Sequence, residues 1–471
     1  MISDMDHFSL PIEDMKKILS LALSRGGEFA ELFYEYRILN SLGMEEELFK
    51  DSVQSIRVGL GVRVVRGDQT GYGYTNDLSY TKLKNAALTA AAIAHESRAS
   101  NLYCVDLREK KLDGNAYDLS EPFPTLALRI KTDLIRTAYD SAGRHDPRIS
   151  KIQSMLVDEM QFVSIVNSEG LFVSDTRSQV RLSVRATAEE KGSRGTGFCS
   201  EGGRVGLEYF QTVRAPEQIG KKAADEAVLL LSAIDPPAGE QTVVLGSDQS
   251  GVMIHEAVGH PLEADANRKK TSIMWDKMGC SVASPIVSII DDPTIPHLRG
   301  SLNMDDEGVV PAKTPLIEKG RLVGYLNDRL SARIMGMAQN GHGRRESYEN
   351  IPIPRMCNTM LCRGDHDPAE IIRSVKKGFY AQTFQGGQVQ DSGKFTFSVN
   401  MGYLIENGKL TRPVKNATLI GTNVQILNEV EMIGNDMGFF LGSCGKDGQS
   451  VPVSAGTPTL KIRRMTVGGR K

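Results

Sequence analysis

No stretch of this 471-residue sequence approaches the roughly 20 consecutive apolar residues of a membrane-spanning helix, so nothing in it reads as a membrane span. The first residues, Met1 to Pro11, lack an apolar run behind a basic start and do not read as a signal peptide. Neither sign of charge dominates. Lys plus Arg number 56 and Asp plus Glu 58, a net charge of −2 with no long run of one sign. That balance predicts neither a nucleic-acid surface nor a membrane-seeking patch. The six cysteines, at 104, 199, 280, 357, 362 and 444, show no disulfide-scaffold spacing, and reduced thiols in the cytoplasm follow as the simplest reading. Cys357 and Cys362 lie near Arg355 and His366, but no further ligand spacing supports a metal site there. What is present, 40% hydrophobic and 24% charged residues, describes a globular protein long enough for two domains.

The predicted fold class is α+β. Residues 11–25 show helical spacing in Met15, Ile18, Leu19, Ala22 and Leu23, ended by Gly26-Gly27. Strands are expected at 31–38, 43–49 and 56–65, with Gly67-Asp68 turning the chain into 71–74. Helices are expected at 81–95, 125–141 and 216–233. Two long β-rich runs, 152–166 and 170–188, meet at Ser168-Glu169-Gly170. Arg181, Arg185 and Glu189 share one parity, as expected of the solvent face of a sheet. Asp235-Pro236-Pro237 is a stiff break. It divides the chain into an N-terminal helix-plus-antiparallel-sheet domain, 1–235, and a mostly β C-terminal domain, 236–471. In the second half, Lys319-Gly320 and Asn407-Gly408 sit between β-formers as hairpin turns, and a helix is expected at 368–378.

The chemistry gathers in Ile254-His255-Glu256-Ala257-Val258-Gly259-His260, with Glu263 and Asp265 just beyond. Only eight histidines occur in the whole chain. Two imidazoles can hold a divalent metal as neutral donors, and a carboxylate beside them can take a proton from water. A spacing of five leaves the two side chains roughly 140° apart around an ideal helix. Both can reach one ion only if the helix carries an extra residue in a π-type turn or ends between them. Gly259 and Pro261 interrupt helices, so His255 and Glu256 are expected on the helix and His260 in a distorted final turn. Ser247 or Ser250 is placed to cap that helix. For a third ligand the candidates are Glu263, Asp265 and Cys444, the last in a glycine-dense loop with Lys446 beside it to favour thiolate.

The run from His255 to His260, with Glu263 and Asn267-Arg268, resembles the metallopeptidase motif of the TldD/PmbA family, on its TldD side. Further matches are Asp305-Asp306-Glu307-Gly308, Gly343-Arg344-Arg345-Glu346-Ser347-Tyr348, Gly386-Gly387-Gln388-Val389, Lys415 to Gly421, Cys444 to Val453 and Thr466-Val467-Gly468-Gly469. One departure is Pro261, where the family pattern has glycine; it bears on how the helix ends. The resemblance implies a zinc metalloprotease with one Zn²⁺ per chain held by His255, His260 and Cys444, and with Glu256 as general base. It implies the catalytic subunit of a homodimer, or of a heterodimer with a PmbA/TldE-like partner, acting on unfolded peptides.

Around that centre, Glu263 is expected to orient a histidine through its other ring nitrogen. The peptide is expected to add as a strand along a sheet edge at Gly386-Gly387 and 394–399. Arg344 and Arg345 are candidates for its terminal carboxylate. The competing reading is a non-catalytic, zinc-stapled module that binds peptides or regulates another protein, closed by four protein ligands.

Overall fold

The computed structural model describes residues 10–93, 106–114, 116, 117, 123, 126–390 and 393–469. Residues 1–9, Cys104 and the end of the alanine-rich helix past 93 lie outside them.

The N-terminal sheet is built from strands much longer than the sequence pattern marks. Phe29–Glu45 runs through the first expected strand and into the second, which a turn at Glu46-Glu47 interrupts, and Leu48–Arg66 returns beside it in antiparallel register, Phe29 opposite Val65. Gln69–Thr75 follows across the turn at Gly67-Asp68. Ile149–Asn167 pairs with the other side of Phe29–Glu45, and Leu171–Glu190 and Ser193–Gly203 extend the sheet. A short strand, Arg108–Lys110, adds in parallel to the start of Leu171–Glu190.

Strand alternation decides what each face meets. Ala30, Leu32 and Tyr34 point to the face covered by the helices Ile12–Leu23 and Tyr80–Ala91. Further along, Leu156, Val180 and Leu182 take the helices Leu128–His145 and Pro216–Leu229. Residues of the opposite parity, Phe33, Val163 and Ile165, pack on Met304 and Tyr348 from the second half of the chain. Charged residues share that second face. Glu31 and Arg63 are fully buried there. Arg63 bonds Glu31 at 2.8 Å and Glu307 at 2.6 Å, and Arg177 bonds Asp306 at 2.5 Å. The face expected to meet solvent is thus largely an internal seam. At Arg185 and Glu189 it does open to solvent, while Arg181 is half-buried.

The second half carries two further six-stranded sheets. One runs Arg321–Leu322, Thr314–Glu318, Ile289–Asp291, Asn358–Leu361, Gln449–Thr457 and Gly438–Lys446. The other runs Lys409–Thr422, Lys394–Glu406, Lys377–Val389, Gly239–Leu245, Leu460–Gly468 and Val430–Ile433. Lys409–Thr422 also pairs with Leu460–Gly468, so five strands close on themselves. Both expected hairpins form, with positive φ at Lys319 and Gly320 and at Asn407 and Gly408, as a tight two-residue turn requires. The expected helix at 368–378 is shorter, Pro368–Arg373, because the chain from Lys377 enters a strand.

Between these sheets lies the helix with the two histidines. Val252, Met253, Ile254, Ala257, Val258 and Leu262 are buried in the main core, so both its faces are apolar and fixed. Ser250 does not cap it. Its hydroxyl donates back to the carbonyl of Gly246. Among the described residues no helix is long and apolar enough to cross a membrane.

Candidate metal centre

The chain is α-helical from Gly251 to Ile254 and then widens into one π-type turn, His255–Gly259, in which the His260 N–H bonds the His255 carbonyl five residues back. A tight turn, His260–Leu262, ends it, with Pro261 inside that turn, where its missing N–H costs no helical bond. The extra residue cancels most of the 140° offset. The two imidazole rings come to 5.1 Å between centroids, nearly perpendicular. Gly259 is required by contact and not by conformation: its φ of −57° suits any residue, but a Cβ there would run into the Met356 sulfur.

The third member arrives from the far end of the chain. Cys444 is not in a loop but on the strand Gly438–Lys446, which turns at Asp447-Gly448 and pairs with Gln449–Thr457. Its Sγ lies 3.4 Å from His260 Nε2. One donor atom each from His255, His260 and Cys444 fall within 4.8 Å of one another. Glu263 and Asp265, the other candidates for the third ligand, do not join this group.

Glu263 instead holds the ring. Its Oε2 is 3.0 Å from His260 Nδ1, which leaves Nε2 directed at the thiol. Lys446 lies 3.2 Å from the same oxygen and 2.6 Å from Asp265, and Arg355 Nε is 3.8 Å from the other oxygen. Burial alone would raise the Glu263 carboxyl, but Lys446, His260 and Arg355 outweigh it and bring it down to about 2. Arg355 also donates to the carbonyl of Cys444, which ties the strand to the carboxylate. Neither role of Arg355 is visible in the sequence.

Burial would likewise raise the Cys444 thiol, yet the two imidazoles pull it down to about 5, so it is a thiolate near neutrality. Those histidines do this; Lys446 is engaged elsewhere. Burial lowers His260, but Glu263 and Cys444 hold it well above its ordinary value. The centre therefore favours a positive charge at the imidazole–thiolate junction, as a bound divalent cation would supply. His255 Nδ1 is buried with no hydrogen-bond partner among the described residues. Two imidazoles and a thiolate, with no fourth donor grouped with them among the described residues, fit a zinc ion of catalytic type, which takes three protein ligands and keeps a place for solvent.

Glu256 is half-buried beside the pair and makes no hydrogen bond or ion pair among the described residues. Burial raises its carboxyl against the pull of both histidines, which makes it a better proton acceptor than an exposed glutamate.

The other expected site residues lie apart. Arg344 is buried and spends its guanidinium on the carbonyls of Met356 (2.6 Å) and Pro452 (2.8 Å). Arg345 is buried against Glu31 and the Asp306 carbonyl. Strand residues 394–399 are paired on both sides and form no edge. Gly386 and Gly387 do lie on one, because the strand Lys377–Val389 has a second partner only as far as Ala381. Gly386 also lines a cavity of about 570 Å³, together with Arg181, Arg185 and Ser443. A second group, Asp291, His342 and Cys357, is sealed in the core, and its carboxylate already accepts from the backbone of Cys357 and Asn358 and from Thr359.

Comparison with known proteins covers most of the chain. Residues 30–94, 121–231 and 238–469 match, in turn, domain 1, the central domain and the C-terminal domain of the PmbA/TldA metallopeptidases. A metalloprotease TldD homolog of Haemophilus influenzae is 39% identical over 468 residues, 98% of this chain and 97% of its own. A zinc metalloprotease TldD homolog of Saccharolobus solfataricus is 28% identical over 97% of this chain and 100% of its own. The solved structure of TldE from Thermococcus kodakarensis shares the fold, with a TM-score of 0.75 at 17% identity over 97% of this chain and 100% of its own. A buried histidine pair on a π-type turn, completed by a distant thiolate and set in a chain similar throughout to these relatives, identifies the protein as a metallopeptidase belonging to the PmbA/TldD family.

Proposed function

We propose that this chain hydrolyses peptide bonds in unfolded or extended peptides, with one Zn²⁺ held by His255, His260 and Cys444 and with Glu256 as general base. The observation that carries the reading is the meeting of Cys444 Sγ and His260 Nε2 at 3.4 Å across 184 residues, next to a glutamate that no other group among the described residues bonds. Bound there, zinc supplies Lewis acidity: it polarises a carbonyl and acidifies water. Glu256 accepts the proton of the attacking water and delivers it to the leaving amine. Because Glu256 follows His255 directly, fixing the metal also fixes the base. Glu263 keeps His260 Nδ1 protonated, so that Nε2 is the donor toward the metal.

The substrate enters as an extended strand. Two unpaired edges border the cavity: Phe384 to Gly386, and Gly438–Lys446, the outermost strand of its sheet. Backbone pairing there would be indifferent to sequence, which suits unfolded chains. Arg299 and Gln249 already occupy single positions on these edges, at the Gly442 carbonyl and the Phe384 N–H.

The same reading takes the chain as two folding units, 1–235 and 236–471, and as the catalytic subunit of a dimer with itself or with a PmbA/TldE-like partner. It places the protein in the cytoplasm, in keeping with five free thiols among the described residues. Digestion of an unfolded protein with and without chelator, followed by mass spectrometry of the products, tests it. Metal-dependent fragments are expected, and their absence with zinc present overturns the assignment.

A further inference from the structure

The cavity of about 570 Å³ touches both halves of the chain, and chain neighbours of the metal donors stand on its wall. Ser443 on its wall is the neighbour of Cys444, and Val252 on its wall is three residues before His255. At about 3.3 Å per residue, an extended peptide lying by Cys444 brings its next one or two residues past this wall.

The cavity wall carries three cations, Arg181, Arg185 and Lys222, and three acids, Glu201, Glu226 and Asp248, but they are not paired one to one. Each acid already has partners. Asp248 pairs with Lys222 at 2.6 Å and Glu201 with Arg214 at 3.2 Å. Glu226 accepts from the Phe198 N–H at 3.0 Å, from Asn400 at 2.8 Å and from Thr383. Of the cations, Arg185 lies on the face of Phe198, 5.2 Å from its centroid. Arg181, half-buried in the wall, has no hydrogen bond or carboxylate partner among the described residues. Arg299 donates to the Gly442 carbonyl at 2.9 Å and to Ser443 Oγ at 3.2 Å, and it too has no carboxylate among the described residues. The guanidinium of Arg204, buried nearby, bonds the Ser178 carbonyl at 3.3 Å, has no carboxylate partner among the described residues and faces the Tyr117 ring.

These guanidiniums press on one another. Burial, with Arg181, Arg204 and Arg344 close by, pulls Arg299 down to about 10, and burial pulls Arg181 down as well. Glu159, a carboxylate that bears on Arg299, is committed to Arg37 and to Gln179 at 2.8 Å. Uncompensated buried charge beside a cleft is characteristic of a site whose counter-charge arrives with the ligand. A planar guanidinium matches a carboxylate in two parallel hydrogen bonds, and a peptide carries no commoner anion.

We propose that Arg181, backed by Arg299, forms a carboxylate subsite, so that the enzyme favours peptides bearing a carboxylate one or two residues from the scissile bond. The carboxylate belongs either to an Asp or Glu side chain or to the peptide's own terminus. This rests on the peptidase reading above and names its substrate class. It assigns terminal-carboxylate recognition to Arg181 and Arg299, since Arg344 and Arg345 are committed inside the fold.

The test is peptide binding, read by fluorescence anisotropy on the zinc-loaded Glu256→Gln protein. The probes are labelled decapeptides: a neutral, amidated parent, a set in which one Glu is moved through each position, and the parent with a free C-terminus. At least one carboxylate peptide is expected to bind about tenfold tighter than the parent. A preference within the Glu set marks a side-chain subsite, and one confined to the free terminus marks a terminal one. In Arg181→Gln the ratio between carboxylate and neutral peptides is expected to fall to about one. Arg181→Lys should keep part of it, and Arg181→Glu should reverse it toward a Lys-containing peptide. Equal binding of all probes, or a preference unchanged in Arg181→Gln, overturns the subsite. The peptidase reading is judged separately, because wild-type protein that cuts these peptides without regard to charge refutes the subsite alone. Wild-type protein that cuts none of them with zinc present refutes both.

Discussion

His260 Nδ1 and Glu263 Oε2 stand 3.0 Å apart, and Lys446 reaches the same oxygen from the strand that carries Cys444. One buried carboxylate thus ties together the two parts of the chain that supply the metal donors. Glu263→Gln keeps the shape but removes the charge that makes Nδ1 a firm donor. It is expected to weaken zinc binding about 10–100-fold, the usual cost of losing such a partner, measured by competition with a chelating dye. An unchanged affinity would mean that His260 is held by packing alone.

Asp306 holds the halves of the molecule together: Arg177 reaches across to it at 2.5 Å, and the Arg345 N–H donates to it at 2.8 Å. Burial would raise its carboxyl, but Arg177 and Arg345 hold it below the usual range. A depressed carboxyl contributes stability that is fully present above its unfolded pKa, about 4, and is lost as pH falls through the folded value. Asp306→Asn leaves Arg177 buried and underpaired, at a cost of about 3–5 kcal/mol near neutrality. The difference between wild type and variant in urea denaturation should be largest at pH 7 and shrink below about pH 4. A constant difference across that range would show that the charge is not what matters.

How far the sequence could show this depends on whether the signal is local. The π-type turn was legible because two ligands five positions apart cannot share one face of an α-helix, and that constraint lies within the motif itself. Hairpins at Lys319-Gly320 and Asn407-Gly408 were legible because the turn demands residues that tolerate positive φ. Asp447-Gly448 carries the same signature, yet the glycines before it made the strand Gly438–Lys446 look like a loop. The resemblance, not spacing, singled out Cys444, since nothing local links it to residues 184 positions away. The charged seam was hidden for the opposite reason. Alternation shows that Glu31, Phe33 and Glu35 share a face, but a charged face reads as solvated until a second set of charges from residues 304–348 is seen to cover it. Arg181 belongs to that same ambiguous face.

Gly259 shows how tightly the turn is held. An added methyl would collide with the sulfur of Met356, which is buried at the centre of the main core. Gly259→Ala is expected to cost about 1–3 kcal/mol of stability through overpacking. It should also lower zinc occupancy, because the backbone that must move carries His260. Pairing it with Met356→Ala makes room for the methyl, so the double variant should recover zinc content measured by atomic emission. If occupancy stays low in the double variant, the collision with Met356 is not what couples Gly259 to the metal.

Glu256 separates an enzyme from a zinc-stapled binding module. It is not among the three metal donors, and no neighbour among the described residues bonds it, so removing it should leave zinc content and melting temperature nearly unchanged. A proton-transferring group usually contributes about 10²–10⁴ to the rate, so Glu256→Ala should lose peptide hydrolysis by that factor while still binding peptide. Glu256→Asp keeps the carboxylate but shortens its reach, and it should fall between the two. Zinc analysis, thermal melts and fragment counts on the three proteins settle the matter together. Equal turnover in Glu256→Ala would assign the base to another group, and a loss of zinc in parallel with activity would make Glu256 part of the metal's own support.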